Sequence, residues 1–338
     1  MSEPRVSVVL TTFERERYLG AAIRSALDQT SRDLELIVVD DGSTDGTPDL
    51  VCGVGDPRVR YIRQEHRGMC SALNTGVRAA RAGYIAHLDS DDVWLEEMLE
   101  VETQVLDARP DVGAVYARSQ GMDEGGNPLP EFRGYPERFP GRSFESMLYG
   151  DFTSSITVVA RRACYERAGW WDESFTTGAD WDMWMRMSRH FPFAFVDRVL
   201  ARFRLHGGNV SGPGSPLFAK ELDGRTWVLD KAFSLPDLPP EALARKGACY
   251  ANVHTEAALR WFRAGEYRRA ARAFVRAVRA GPSPTFTVAR IAWFALGARV
   301  LNRSALGRRF LRFTADLRRR RRTRPAPDLR PVPSPDRT

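Results

Sequence analysis

The sequence predicts an α/β protein built on a doubly wound, mostly parallel sheet, with a helical extension toward its C-terminal end. Over the first hundred residues, short β-branched runs alternate with segments whose apolar residues recur at helical spacing, the pattern of consecutive strand–helix–strand units. One run, Glu35–Val39, is almost continuously apolar, as expected of a strand covered on both faces. With 338 residues and 43% hydrophobic content, the chain can bury one large core and carry a smaller appendage.

Strands and helices are expected to alternate before residue 100. The strands are Val6–Leu10, Glu35–Val39, Arg60–Ile62 and Tyr84–Leu88. The helices are a segment bearing Leu19, Ala22, Ile23, Ala26 and Leu27, then Thr47–Val54 and Met69–Ala82. Polar residues follow the first, second and fourth strands, and open parallel sheets bind their ligands at these carboxyl ends.

The next hundred residues are expected to complete the same domain. Gly121–Gly141, rich in Gly and Pro, is predicted to be a long loop near the site. The further elements are a strand at Thr153–Ala160 and helices at Arg161–Ala168 and Asp180–Arg189. Leu200–Gly208 then closes the domain, and the stretch Ser211–Pro216 marks a natural boundary.

We therefore divide the chain into a domain at 1–211, with halves at about 1–100 and 101–211, a helical extension at 212–322 and a disordered Pro- and Arg-rich tail at 323–338. Ala248–Ala280 is predicted to form two helices around Gly265 and looks like one tetratricopeptide-type hairpin. Thr285–Arg319 is predicted to be a basic amphipathic helix, which either lies on an anionic membrane or packs on the hairpin. No nucleic-acid partner is expected, because no basic groove interleaved with aromatic residues is evident.

Charge and cysteine content narrow the class of protein. The formal net charge is +7, but Arg299–Thr338 alone carries 13 arginines and three aspartates, so the rest of the chain is mildly acidic. The four cysteines are far apart and form no CxxC pair, which argues against a disulfide framework or zinc site and fits a reducing cytosol. No signal peptide and no apolar window of about 18 residues is evident, so we expect a cytoplasmic protein.

Three carboxylates within four positions, Asp89, Asp91 and Asp92, follow the fourth strand in the stretch YIAHLDSDDVW. Ionised carboxylates are costly to bury unless they are paired or bound to a metal, and no Lys or Arg lies within several residues. Oxygen ligands without His or Cys suit a hard cation such as Mg²⁺ or Mn²⁺. The alternative is a solvated loop in which Asp92 is the N-cap of a helix at Val93–Leu99.

Five blocks of the chain, in their order and spacing, are similar to family 2 glycosyltransferases of the GT-A fold, over roughly Arg5 to Ser211. The blocks are VSVVLTTFERERYL (6–19), LELIVVDDGSTDGT (34–47), NTGVRAARAGYIAHLDSDD (74–92), GWWDESFTTGADWDMWMRM (169–187) and FRLHGGNVS (203–211). The resemblance implies a non-processive, inverting, metal-dependent enzyme of cell-surface polysaccharide or glycoconjugate assembly. Such an enzyme moves one sugar from a UDP- or dTDP-sugar to a hydroxyl of a saccharide or lipid-linked acceptor. Residues 1–100 would be its donor half and 101–211 its acceptor half.

Through that resemblance, LDSDD carries a DxD motif, Asp89-Ser90-Asp91, whose carboxylates would hold Mg²⁺ or Mn²⁺ on the donor diphosphate. The metal would act as a Lewis acid for the departing nucleoside diphosphate. The resemblance further implies His206, on a flexible loop, as a metal ligand or diphosphate contact. Arg204 could pair with phosphate oxygens or with the body of the protein, and a structural role for His206 is the alternative.

The resemblance also implies the residues that bind the nucleotide. They are Thr11, Phe13, Glu14 and Asp41, with Asn74 at a position near the donor. Phe13 would stack on the base, and Asp41 would accept from the imide N–H of uracil or thymine, whereas Asp40 could simply cap the loop DDGSTDG. The chain departs from the family at Glu14, where Asn is common, and at Leu73, where Arg is common. The second departure removes one possible phosphate or ribose contact.

The general base is implied in GADWDMW, where the family usually reads Glu-Asp-x-Asp and its second acidic residue deprotonates the acceptor hydroxyl. Asp180 keeps that position, while Ala179 replaces the Glu. A like-charged neighbour raises the pKa of a carboxyl group, so Ala179 removes that influence. Asp180 could also be a helix N-cap, and Asp182 is expected to be structural, adding favourable charge to the first helical turn. Trp181 and Trp184, at helical spacing, are either sugar-stacking surfaces or core.

Three other classes of protein fit less well. A nucleotidyltransferase would bring a Gly-rich N-terminal loop carrying Arg and Lys, but LTTFERERYL has no glycine before Gly20. A processive synthase would need spanning helices and a Gln-x-x-Arg-Trp segment, and the nearest approach, Ala257–Trp261, lacks the Gln. A non-catalytic nucleotide-sugar binder or scaffold is suggested by Ala179, Leu73 and the helical extension. Against it stands the joint presence of Asp89, Asp91, Asp180 and His206.

Overall fold

The computed structural model describes residues 3–209, 215 and 217–281, in which nine strands form one sheet. The strands are β1 Val6–Thr12, β2 Leu34–Asp40, β3 Val59–Arg63, β4 Tyr84–Asp89, β5 Val93–Trp94, β6 Ala114–Met122, β7 Pro128–Arg133, β8 Val159–Arg161 and β9 Phe193–Arg204. The helices are α1 Glu16–Leu27, α2 Thr47–Cys52, α3 Met69–Ala79, α4 Met98–Ala108, α5 Ser143–Tyr149, α6 Arg162–Ala168, α7 Ala179–Ser188, α8 Phe218–Phe233, α9 Pro240–Ala244, α10 Lys246–Arg263 and α11 Tyr267–Ala280. The predicted basic helix at Thr285–Arg319, the tail and nearly all of Ser211–Pro216 lie outside the described residues.

The sheet has the strand order β3-β2-β1-β4-β8-β6-β9-β5, with β7 paired to β6. Strands β3, β2, β1 and β4 are parallel neighbours. Strand β8 then runs antiparallel to both β4 and β6, while β6 and β9 are again parallel. The predicted α/β class and mostly parallel sheet are confirmed.

Alternate residues of the central strands feed two cores, one on each face of the sheet. Val8 and Leu10 of β1 pack with Ile23 of α1, whereas Val9 packs on the opposite face with Val77 of α3. This two-sided burial explains why the strands read as nearly continuous apolar runs. Gly76 of α3 permits the close approach on the second face, because a Cβ there would lie 2.3 Å from Val9 Cγ1.

Three local expectations are wrong. The predicted loop Gly121–Gly141 contains β7, an exposed strand whose prolines are tolerated because it borders the sheet. Most of Thr153–Ala160 is not a strand, since a 3-10 turn at Ser155–Thr157 precedes the short β8. Asp92 caps no helix: it is followed by β5, which pairs with β9, and α4 begins only at Met98.

The extension shares the core of the sheet domain. Val228 and Phe233 of α8 and Val253 of α10 lie in the same buried cluster as Val9 and Trp184. The two helices expected around Gly265 are α10 and α11, and Gly265 turns the chain between them at a φ of 78°. The tetratricopeptide assignment and the domain boundaries stay predictions. Among the helices of the described residues, none is long and apolar enough to cross a membrane.

Candidate active site

Strand register brings the polar strand ends to one edge of the sheet. Thr11 of β1 pairs with Asp89 of β4, and Thr12 of β1 pairs with Asp40 of β2. Because these three strands are parallel neighbours, their carboxyl ends lie side by side. The residues predicted from the first, second and fourth strands therefore meet where such sheets bind ligands.

An aromatic pair follows this edge at the ends of β1 and β3. Phe13 stacks on His66 with ring centroids 4.1 Å apart and planes inclined by 22°, and Phe13 remains 40% exposed. Exposed aromatic faces of this kind can stack on a planar heterocycle, the contact expected of Phe13. His66 is a residue that sequence reasoning missed, because one histidine after a short strand forms no pattern.

Asp41 is buried and accepts hydrogen bonds from both sides. Its Oδ1 accepts from Gln64 Nε2 at 2.7 Å and from Arg67 N at 3.0 Å. Its Oδ2 accepts from Gly68 N at 2.7 Å and lies 2.8 Å from His66 Nδ1. The predicted contact with an imide N–H stays a prediction. It would require a donor to move, and the half-exposed His66 is the side chain best placed to do so.

Asp40 and Glu14 hold the loop that follows β2. Ser43 N donates to Asp40 Oδ1 at 2.8 Å, and the Tyr61 hydroxyl donates to Asp40 Oδ2 at 2.6 Å. Burial, and then the hydrogen bond to Asp40, raise the pKa of Tyr61. Glu14, at a φ of 51°, accepts from both the backbone and the hydroxyl of Thr44 at 2.7 and 2.9 Å. Asp40 thus makes the loop-capping contact left open by the sequence, and the Glu14 carboxylate is bound to the same loop.

The carboxyl groups after β4 differ from those after β2, because their surroundings raise their pKa values. Burial, and then the charges of Asp91 and Asp180, raise the pKa of Asp89 to about 7. Burial, and then the same kind of repulsion, raise the pKa of Asp92, although Arg204 N donates to its Oδ1 at 2.7 Å. These shifts mean that burial and mutual repulsion outweigh the nearby positive charge, so the region favours a bound cation. Ser90, between the two motif carboxylates, is buried.

His206 and Arg204 reach Asp91 from the end of β9. His206 Nε2 lies 2.9 Å from Asp91 Oδ2, and its side chain is 4% exposed. Arg204 is also buried, and its guanidinium donates to the backbone oxygens of Asp91 and Glu124 at 2.9 and 3.0 Å. His206 thus lies beside the carboxylate it was expected to assist. Arg204 makes the contact with the body of the protein that the sequence left open.

Asp180 lies in the first turn of α7. The helix begins at Ala179 after Gly178, the N-cap residue, whose φ is 77°. The N-cap alternative for Asp180 is therefore wrong. Asp182 is buried and pairs with Arg186 Nε at 2.9 Å, as expected of a structural residue. Trp181 and Trp184 are core residues.

Asp151 is a carboxylate near Asp180 that the sequence analysis did not identify. It follows α5, and its Oδ1 accepts from the backbone and the hydroxyl of Thr153 at 2.9 and 2.7 Å. Burial, and then the charge of Asp180, raise the pKa of Asp151 to about 7, while Arg225 of α8 acts in the opposite direction. Ala179 leaves Asp180 without the acidic neighbour that is usual in the family. Asp151, from another element, supplies a carboxyl group near Asp180 instead. No sequence signal could have revealed it, because Asp151 is distant from Asp180 along the chain.

Asn74 connects the two halves of the domain. Its Nδ2 donates to Trp171 O at 2.9 Å and to Glu173 Oε1 at 3.0 Å, while its Oδ1 accepts from Trp171 N at 2.8 Å. Leu73, which replaces a common Arg, packs in the core. Asn74 therefore ties α3 to the segment before α7, and its contact with the donor stays a prediction.

The donor atoms at the end of β4 fit a divalent cation that arrives with its substrate. Within residues 3–209, 215 and 217–281, no three His, Cys, Asp or Glu side chains form a ready-made metal cage. Asp89 and Asp91 nevertheless offer carboxylate oxygens, and His206 offers a ring nitrogen beside Asp91. Mg²⁺ is usually held by one or two carboxylates together with substrate phosphates rather than by an all-protein cage, and Mn²⁺ prefers similar ligands.

Comparison with known sequences also finds glycosyltransferases. Residues 7–167 match the model of the family described as Glycosyl transferase family 2. Chondroitin synthase of Escherichia coli is 32% identical over 210 residues, which are 62% of this chain and 30% of that protein. An uncharacterized glycosyltransferase of Rickettsia prowazekii is 28% identical over 216 residues, which are 62% of this chain and 66% of that protein. The chain thus covers less than two thirds of the length of each relative.

Solved structures share the fold at lower identity. The S. aureus TarS fragment 1–349 in complex with UDP-GlcNAc has a TM-score of 0.60 at 18% identity, over 82% of this chain and 82% of that one. The mannosyltransferase PcManGT from Pyrobaculum calidifontis, in complex with GDP-Man and Mn²⁺, has a TM-score of 0.58 at 21% identity, over 90% and 84% of the two chains. The fold is of the GT-A type.

Proposed function

This chain belongs to glycosyl transferase family 2, and on that premise we propose that it is a non-processive, inverting glycosyltransferase that moves one sugar from a nucleoside-diphosphate sugar to an acceptor hydroxyl. The observation that carries the proposal is the surplus carboxylate charge after β4, on the same sheet edge as the exposed aromatic ring of Phe13. The carboxylates suit a cation bound to a diphosphate, and the aromatic ring suits a nucleobase. Together they match the two ends of a nucleoside diphosphate.

The nucleotide is proposed to be UDP or dTDP. Phe13 and His66 would hold the base by stacking, and Asp41 would accept from a ring N–H. Uracil and thymine carry such a hydrogen on N3, whereas cytosine does not. The TarS complex with UDP-GlcNAc supports a uridine donor, while the mannosyltransferase complex with GDP-Man keeps guanosine as the competitor to be tested.

Asp89 and Asp91 would hold Mg²⁺ or Mn²⁺ on the diphosphate, with His206 as a further ligand or diphosphate contact. When bound, the ion would supply Lewis-acid stabilisation of the departing nucleoside diphosphate. His206 Nε2 lies 2.9 Å from Asp91 Oδ2, which supports a role for the imidazole beside the proposed diphosphate. Gly207 and Gly208 follow His206 and allow this loop to close over the donor.

Asp180 would be the general base that takes the proton from the acceptor hydroxyl. Trp181 N, in the first turn of α7, donates to Asp180 Oδ1 at 2.8 Å and stabilises its negative charge. A general base must accept a proton during the reaction, and Asp180 lies close enough to Asp151 for its charge to raise the pKa of that carboxyl group. A single displacement at the anomeric carbon, with Asp180 activating the hydroxyl, inverts the configuration of the transferred sugar.

The acceptor is proposed to be a saccharide or a lipid-linked saccharide in the assembly of a cell-surface polysaccharide or glycoconjugate. The relative named chondroitin synthase supports a polysaccharide product. The basic stretch Thr285–Arg319 would bring the enzyme to an anionic membrane at its cytoplasmic face. A flotation assay with full-length protein and anionic liposomes tests this part, and absence of binding would contradict it.

Calorimetry of nucleotide binding tests the donor site directly. UDP, dTDP, GDP and CMP would each be titrated with Mn²⁺ and with chelator into the wild type and into Asp89→Ala/Asp91→Ala. We expect one diphosphate to bind, to require metal, and to lose at least tenfold in affinity in the double variant. A matched control, Asp111→Ala/Asp197→Ala, removes two exposed carboxylates elsewhere and should bind as the wild type does. Binding of no nucleotide by a folded protein would contradict the proposal and favour a scaffold.

A further inference from the structure

Helix α8 packs along the segment that carries the candidate base. Thr177 Oγ1 donates to Lys220 O at 3.2 Å, and a Cβ on Gly224 would lie 2.8 Å from the same hydroxyl oxygen. Trp227 stacks on Phe175, with ring centroids 4.4 Å apart and planes inclined by 25°. The helix thus follows the backbone leading into α7 closely, although it lies beyond the part of the chain that matches the family model.

Lys231 of α8 joins both ends of this segment. Its Nζ lies 2.7 Å from Asp172 Oδ2, in the loop before α7, and 2.9 Å from Asp182 Oδ1, in the first turns of α7. The second carboxylate oxygen of Asp182 accepts from Arg186 Nε at 2.9 Å. Arg186 in turn donates to the backbone oxygen of Ala168 at 2.6 Å. One ammonium group therefore connects the loop, the helix and, through Arg186, the end of α6.

Charge and burial both strengthen the ion pairs of Lys231 with Asp172 and Asp182. The Asp182 side chain is 4% exposed, and a buried carboxylate that loses one of its cations is strongly destabilised. Burial alone would raise the pKa of Asp172, but hydrogen bonds from Lys231 and Ser174 lower it to about 2. Asp172 is thus ionised near neutral pH, and Asp182 contacts the same ammonium nitrogen.

We propose that Lys231 is a positioning residue that holds the first turn of α7, and with it Asp180, in the orientation required to take the acceptor proton. Its Nζ is bound to Asp172 and Asp182, so it acts through them and not on the substrate. This inference rests on the proposed function of Asp180 as general base. It makes the helical extension part of the active site, because the residue that fixes the base lies in α8.

The test compares Lys231→Met with Lys231→Arg, which keeps the charge, and with Lys246→Met as a control at an exposed lysine of α10. With water as the acceptor, turnover is followed as hydrolysis of UDP-GlcNAc and of GDP-mannose to the free sugar and the nucleoside diphosphate, with Mn²⁺ and at saturating donor. Because a misplacement of about 1 Å can cost about 100-fold in rate, we expect Lys231→Met to lower kcat by about 10- to 100-fold. Affinity for UDP, which binds the other half of the domain, should change by less than about threefold. Lys231→Arg should recover part of the rate, and Lys246→Met should equal the wild type.

Three kinetic or binding results would overturn the proposal: an unchanged kcat in Lys231→Met, a loss of nucleotide affinity as large as the loss of kcat, or a Lys231→Arg variant as slow as Lys231→Met. Hydrogen–deuterium exchange provides a readout that needs no substrate. Peptides covering 172–182 should exchange faster in Lys231→Met than in the wild type and Lys246→Met, and unchanged exchange would also overturn it. If the wild type binds and turns over no nucleotide sugar, the proposed function fails, while the exchange measurement still decides whether Lys231 holds this segment.

Discussion

Two groups of aspartates follow β2 and β4, the strands on either side of β1, and the protein treats them in opposite ways. Asp40 and Asp41, after β2, are buried and accept hydrogen bonds from backbone and side-chain donors around them. After β4, Asp89 is partly buried and Asp92 is buried, and there burial and repulsion raise both pKa values. The first group is stabilised within the protein, whereas the second has surplus negative charge that an external cation can neutralise.

The difference arises from the neighbours that the topology supplies. The β2 end faces the turn after β3, where Gln64, Arg67 and Gly68 present donors to Asp41. The β4 end instead faces acidic residues from other elements, namely Asp180 of α7 beside Asp89, and Asp151 beside Asp180. Carboxylates collected from several elements are typical of a functional site, because folding alone gains nothing from their repulsion.

The largest effect is expected from removing the candidate base. Asp180→Asn should lower the rate of sugar transfer by about 10²–10⁴-fold, the usual contribution of a general base. Nucleotide affinity should change by less than about threefold, because the proposed donor site lies after β1, β2 and β4. Diphosphate release and calorimetry measure the two quantities. Asp223→Asn, at an exposed position of α8, is the control, and a comparable rate in the two variants would remove Asp180 from the mechanism.

The next largest effect is a difference in protein stability between variants of the two aspartate groups. Asp41→Ala leaves partly buried donors such as Gly68 N without their acceptor and should lower the free energy of unfolding by about 1–3 kcal/mol. Asp89→Ala removes a repelled carboxylate, so its free energy of unfolding should be unchanged or higher than that of the wild type. Urea denaturation at pH 7 without divalent metal measures both. Equal losses in the two variants would mean that the contrast between the strand ends is not energetic.

The sequence predicts the strand ends well, because β-branched runs and the polar residues that follow them are local signals. Thr11, Asp41 and Asp89 come together because parallel neighbours end at one edge. Strand β7 could not be predicted, since it is exposed and contains Pro128 and Pro130, so neither burial nor alternation marks it.

The remaining site residues come from pairings across distant parts of the chain. His66 acquires its role from Phe13, Asp151 from Asp180, and Lys231 from Asp172 and Asp182. None of the three belongs to a motif, and each would look like an ordinary surface or loop residue in the sequence. Only the packing of α5, α7 and α8 around one segment shows what the last two contact.

The smallest effect concerns the pH dependence of stability at Asp151. Its pKa in the folded protein, about 7, is above the ordinary Asp value of 3.8, so the folded state holds the proton more strongly than the unfolded chain. Ionised Asp151 therefore costs stability progressively as the pH rises from about 4 to about 7. Asp151→Asn cannot titrate, so its free energy of unfolding relative to the wild type should increase across this range. Because part of the side chain is solvated, we expect a gain of about 1–2 kcal/mol.

Asp172→Asn provides a control, because the pKa of Asp172 is shifted in the opposite direction to that of Asp151. Hydrogen bonds from Lys231 and Ser174 outweigh burial and lower the pKa of Asp172 to about 2, so its contribution is present above the ordinary pKa and disappears as the pH falls toward 2. Urea denaturation of both variants and the wild type at pH 4.5 and pH 8 gives the two differences. Relative to the wild type, the free energy of unfolding of Asp151→Asn should be higher at pH 8 than at pH 4.5. Asp172→Asn should be less stable than the wild type at both pH values. An Asp151→Asn difference that does not change with pH would contradict the raised pKa of Asp151 and the repulsion by Asp180 that contributes to it.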